Sequence, residues 1–102
     1  MKRDLKDEYK NLFQKIRAIL NDVDPESFNP GQYDGSPADE YDGESRSILN
    51  FVIHNQEKIK INNQILVVEI NKIWQHYFGT ECSKSEKIAQ TLTKIIFSEK
   101  GT

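Results

Sequence analysis

The stretch EKIKINNQILVVEINKIWQHYF, residues 57–78, decides the fold class. Lys58-Ile59-Lys60-Ile61 alternates as a strand does, and Asn62-Asn63 is turn chemistry that could fold it onto Gln64–Ile70 as a hairpin. Against the hairpin, Leu66, Ile70, Ile73, Trp74 and Tyr77 recur at spacings of three and four, which draws one stripe along a helix. A two-stranded hairpin with no third strand is also marginal in water. The spacing therefore predicts a helix from about Ile61 to Phe78, with Gly79 in the left-handed position that ends it.

Outward from this stretch the helical period continues in both directions. Downstream, Ser83-Lys84-Ser85-Glu86 has the form of a capping box, and Ile88, Ala89, Leu92, Ile95 and Ile96 give a fourth helix its stripe to near Ser98. Upstream, Ser36-Pro37-Ala38-Asp39 predicts the start of helix two, with Asp39 and Glu40 in a first turn whose partial positive charge favours carboxylates. Tyr41, Ile48, Leu49, Val52 and Ile53 form its apolar stripe as far as His54, with Asn55 as a stop. Helix one spans Asp4 to Val23 on the stripe Leu5, Tyr9, Leu12, Phe13, Ile16, Ile19, Leu20 and Val23. Lys6, Lys10, Lys15 and Arg17 read as its solvated face. The pair Asp24-Pro25 should stop it, because a residue preceding proline is pushed out of the helical region. The expectation is an all-α fold: a single domain over residues 1–102, a small bundle of four amphipathic helices centred on Trp74 and Phe13.

Between helices one and two lies the most unusual composition in the chain. From Asp22 to Glu44 there are eight acids and no Lys or Arg, together with all three prolines and three of the five glycines. Like charge broken this often by Pro and Gly reads as a long acidic loop or interaction surface. Phe28, Tyr33 and Tyr41 within it are too large and apolar to hang free, and are expected to pin it to the helices. The net charge of −2 conceals the asymmetry, since residues 1–50 hold 11 acids against 7 bases and residues 51–102 hold 5 against 7. Such a concentration repels phosphate backbones, which argues against direct nucleic-acid binding and for a basic protein partner.

Other classes of function find little support in the residues. No apolar run approaches the roughly 20 residues of a membrane span, and Met1–Lys10 lacks the apolar core of a secretory signal, so the expected location is the cytoplasm. The single Cys82 reads as a buried thiol. His54, His76 and Cys82 are the only soft metal ligands and do not cluster. Gly31, Gly35 and Gly43 are too widely spaced for a phosphate loop, and Asp34, Asp39, Glu40 and Asp42 do not match a calcium-binding loop. The reading is therefore a protein that is not an enzyme and that holds neither a metal nor a cofactor.

Asp24-Pro25, the glycine-bearing loop, Pro37-Ala38-Asp39-Glu40-Tyr41-Asp42, the later Ile73-Trp74 and Phe78-Gly79 pairs, and Cys82 with Ile88-Ala89 together resemble a small bacterial all-helical family. Its members share a D-P … P-x-D-E-Y-D signature and include immunity proteins of contact-dependent growth inhibition systems. The resemblance covers roughly Leu12 to Ile96, and the loop from Phe28 to Gly35 departs from it by its length and acidity. It implies a cytoplasmic monomer that forms a 1:1 complex with a cognate toxin domain, commonly a nuclease acting on RNA or tRNA, and blocks it. A nuclease presents a basic cleft to its substrate, and an acidic loop on a rigid bundle is a physically suitable plug for one. On this reading Tyr33, Asp34, Asp42 and Glu44 are the toxin contacts, with Phe28 or Tyr33 as a buried anchor. Asp24, Pro25, Pro37, Asp39, Glu40 and Tyr41, which match the shared signature, are scaffold: a loop brace and a helix cap. The alternative is a helical interaction or regulatory module with a different basic protein partner.

Overall fold

Residues 57–78 fold entirely as helix and turn. A computed structural model of the chain describes residues 2–26 and 41–101, with side chains from 9 to 26 and from 41 to 97. Among the described residues the fold is all-helical, with no strand and five helices: α1 (Lys2–Val23), α2 (Asp42–His54), α3 (Gln56–Ile61), α4 (Gln64–Phe78) and α5 (Ser85–Gly101). No described helix is long and apolar enough to cross a membrane.

The extra helix is a correction to the expected four. Ile59 is fully buried and Ile61 is 83% exposed, so the alternation is real, yet both lie in α3. Residues two apart on a helix are about 200° apart around its axis, so four alternating residues fit a helix face as well as a strand. The helix expected from Ile61 to Phe78 also starts later, at Gln64. Asn62 takes an extended conformation, φ −150° and ψ 98°, and its side-chain Oδ1 accepts a hydrogen bond from the Gln64 amide at 3.1 Å. This local bond supplies the backbone with an alternative to a continuous helix.

The other boundaries follow from local chemistry. Asp24 closes α1 by donating its amide to the Leu20 carbonyl at 2.8 Å while adopting a positive φ of 50°. Aspartate enters this left-handed region more readily than most residues, and Pro25 prevents the chain from continuing as helix. At the end of α4, Gly79 has φ 80° and donates to the Gln75 carbonyl at 3.0 Å, as its position predicted. The fifth helix opens at Ser85 after Lys84, whose carbonyl accepts from Ile88 at 3.0 Å, so its start is displaced by one residue from a box capped by Ser83. It also continues to Gly101, beyond the expected end near Ser98.

Helix two begins later than expected. Ser36, Pro37, Ala38 and Asp39 lie outside the described residues, and the helix carrying Ile48 and Val52 opens at Asp42. Tyr41 is therefore the turn residue before α2, with φ −103° and ψ 18°, and its carbonyl accepts the first intrahelical bond from Ser45 at 2.8 Å. The acids in the first turn of α2 are Asp42 and Glu44. Asn55 ends the helix, its side chain donating to the Phe51 carbonyl at 2.9 Å.

The apolar stripes meet in one core. Ile16 and Leu20 of α1, Ile48 and Val52 of α2, Ile59 of α3, Leu66, Ile70 and Trp74 of α4, and Ile88, Ala89 and Leu92 of α5 are fully buried. Phe13, expected at the centre with Trp74, is only half-buried. Its ring instead lies 5.7 Å beneath the Arg46 guanidinium, a cation–π contact between α1 and α2. Tyr77, expected on the buried stripe of α4, is 45% exposed. By angle it falls within the arc of Leu66, Ile70, Ile73 and Trp74, but it lies in the last turn of α4, where its ring reaches Gly43 near the start of α2.

Candidate functional site

The two ends of the acidic stretch are fastened to the core through one side chain. Tyr41 is fully buried although it belongs to a turn, and its hydroxyl is used twice. It donates to Asp24 Oδ1 at 2.8 Å and accepts from the Glu26 amide at 2.9 Å. One phenol thus joins the chain entering the segment 27–40 to the chain leaving it. Glu26 is held in turn, because Trp74 Nε1 donates to its Oε2 at 2.8 Å across 48 residues of sequence. The Tyr41 and Trp74 rings lie 6.0 Å apart at 26°, and the Phe78 ring lies 5.4 Å from Trp74 at 39°.

The chemistry explains why this clasp is rigid. A buried indole N–H and a buried phenol must find partners, and a carboxylate acceptor makes each such bond shorter and stronger than a neutral one. Burial and the neighbouring Asp24 raise the pKa of Tyr41 far above that of a free tyrosine, whereas the Glu26 amide bond opposes the shift. The hydroxyl therefore remains a proton donor.

The expected contact residues divide into three groups. Phe28, Tyr33 and Asp34 lie outside the described residues, as do Pro37, Asp39 and Glu40 of the signature. Asp42 is reachable but engaged: its Oδ1 lies 3.0 Å from Arg17 Nε, with the two side chains 22% and 27% exposed. Those two atoms are close enough for an ion pair but lack the alignment of a hydrogen bond. Arg17, expected on a solvated face, is thereby half-buried between α1 and α2. Glu44 is 4% exposed and presents almost no surface to a partner, which corrects its place among the contacts. It falls on the inner side of α2 beside the fully buried Ser45 and one turn before Ile48.

Asp24 and Tyr41 are thus brought together, with Pro25 between Asp24 and Glu26 in the turn. Sequence reasoning missed Glu26 and Arg17. The lone tryptophan carried a usable signal, since its buried N–H demands an acceptor, but nothing local identifies Glu26 as that acceptor.

Cys82 is buried at 5% exposure, as expected, and burial raises the pKa of its thiol. Its amide donates to Asn71 Oδ1 at 3.0 Å, which ties the start of α5 to α4. A buried thiol with a raised pKa is a poor nucleophile. Among the described residues, no group of three His, Cys, Asp or Glu side chains is placed to hold a metal ion. No family model, curated protein or solved structure matches the chain.

Proposed function

We propose that the chain is an immunity protein that binds and neutralises a cognate contact-dependent inhibition toxin domain, a nuclease, through the acidic surface of residues 22–44. The observation that carries this reading is the clasp. Asp34, Asp39 and Glu40, with no base among them, are inserted between Glu26 and Tyr41, which the Tyr41 hydroxyl and Trp74 fasten to the core, so their charge is mounted on a fixed base. A concentrated negative field steers a basic cleft into register and repels nucleic acid from the same surface. Fixing the ends of the segment also lowers the ordering cost of binding. Inhibition on this reading is competition: carboxylates occupy positions in the cleft that the phosphates of the substrate would take.

The burial of Glu44 and the Arg17 partner of Asp42 shift the weight of the proposed contacts to Phe28, Tyr33 and Asp34, and add Asp22, exposed near the end of α1. The test is charge reversal at positions that leave the Arg17–Asp42 pair intact. Asp22→Lys with Asp34→Lys should weaken toxin binding by more than about tenfold at low salt, and the loss should shrink as salt is added. Helical content and thermal midpoint should be unchanged. Equal affinity for the variant and the parent would place the interface elsewhere on the bundle.

A further inference from the structure

A groove of about 530 Å³ lies between α2 and α4, and none of the functions argued above uses it. Its two walls are matching helical stripes. Ser47, Asn50, Phe51 and His54 come from α2, and Glu69, Lys72, Ile73 and His76 from α4, with Asn55 and Tyr77 at the ends. Both histidines of the chain are here. The register follows from one contact: a Cβ built on Gly43 would lie 3.1 Å from the Tyr77 hydroxyl. The start of α2 therefore lies against the end of α4, and the two helices run in opposite directions. His76 and Tyr77 then share one end with Ser47, Lys72 sits in the middle opposite Asn50, and Glu69 falls at the far end with His54.

We propose that the Lys72–His76 end of this groove binds a small molecule that carries an oxyanion, a phosphate ester or a carboxylate, on an aromatic body. Lys72 and His76 are four residues apart on α4 and so project side by side, a spacing at which two groups can grip one oxyanion. Ser47 and Asn50 supply neutral donors from the opposite wall. Glu69, the one carboxylate among the lining residues, lies three residues before Lys72 on the same face of α4, so the oxyanion competes with it for the Lys72 ammonium. Asp42, near the start of α2, is turned to Arg17 on α1. Phe51 and the nearly buried Ile73 give the groove an apolar floor, and Tyr77 leaves an aromatic ring 45% exposed beside the anion end. A few polar groups converging over an apolar floor, in a volume between about 300 and 1,000 Å³, is the usual form of a small-molecule site. His54 Nδ1 lies 2.8 Å from the Asn50 carbonyl, which leaves Nε2 as the ring atom facing outward and makes this histidine a reporter at the far end. The proposal stands apart from the toxin reading and survives its failure.

The test is a titration of the full chain, isotopically labelled, with phenyl phosphate and separately with benzoate, following the ring C–H signals of His54 and His76 by NMR. At least one probe should move the His76 signal saturably with millimolar affinity and move His54 less. Lys72→Ala should weaken that binding at least fivefold while leaving the thermal midpoint unchanged, since Lys72 is exposed. A response to phenyl phosphate alone makes the ligand a phosphate ester, and a response to benzoate alone makes it a carboxylate. Shifts that never saturate with either probe, or saturable shifts that Lys72→Ala leaves untouched, would overturn the proposal.

Discussion

Trp74→Ala should cost the fold about 4 kcal/mol, a large part of the roughly 5–15 kcal/mol that holds a domain of this size together. The indole is fully buried and packs against the rings of Tyr41 and Phe78. Truncating it leaves a large cavity in the core, which is the costly kind of large-to-small change. It also removes the donor at 2.8 Å from Glu26 Oε2, so a part-buried carboxylate loses its indole partner. Urea unfolding followed by circular dichroism checks this, because the variant has no tryptophan to follow. Trp74→Phe separates the two contributions: it restores most of the volume but no N–H, and should recover more than half of the loss. Equal losses for both variants would mean that the hydrogen bond, rather than packing, dominates at this position.

Tyr41→Phe should cost about 2 kcal/mol while changing almost no volume. The Glu26 amide loses its acceptor and Asp24 Oδ1 loses a donor, both at the base of the acidic segment. The effect carries a pH signature whose direction follows from the raised pKa of the hydroxyl. Above about pH 10 a tyrosine in the unfolded chain ionises, whereas the folded Tyr41 remains protonated. Unfolding then releases a proton, so the contribution of Tyr41 to stability is complete below pH 10 and declines as pH rises. The gap between parent and Tyr41→Phe should be widest below that pH and narrow above it. A constant gap across the alkaline range would show that the hydroxyl is less sheltered than the structure places it.

The all-helical fold was legible because the apolar stripes were long enough to fix a period. Ile16 with Leu20, Leu66 with Ile70 and Trp74, and Ile88 with Leu92 lie in the core where their spacing put them. The short elements were not legible. Four alternating residues at Lys58–Ile61 fit either period, and whether Asn62 bonds locally or continues a helix is a balance of small energies that no pattern displays. Capping motifs were less dependable than stripes: α5 opens one residue past the expected cap, and α2 opens at Asp42. The acidic composition of residues 22–44 was plain from the sequence alone. Its attachment was only half visible, because Asp24-Pro25 and Tyr41 could be picked out, whereas the Glu26–Trp74 bond joins residues 48 apart and depends on how α4 crosses the ends of the segment. Burial of Glu44 was hidden for a related reason. A glutamate in the first turn of a helix is ordinarily solvated, and only the tertiary packing of α2 brings this one inside.

The most direct test of the proposed immunity function is co-expression of this chain with a contact-dependent inhibition toxin domain, should its gene neighbourhood encode one, scoring survival and co-purification together. The proposal predicts that cells survive and that the two proteins purify as a 1:1 complex, and that both properties are lost with Asp22→Lys and Asp34→Lys in a variant whose circular dichroism matches that of the parent. Cell death with no complex, from a chain shown to be folded, would contradict it.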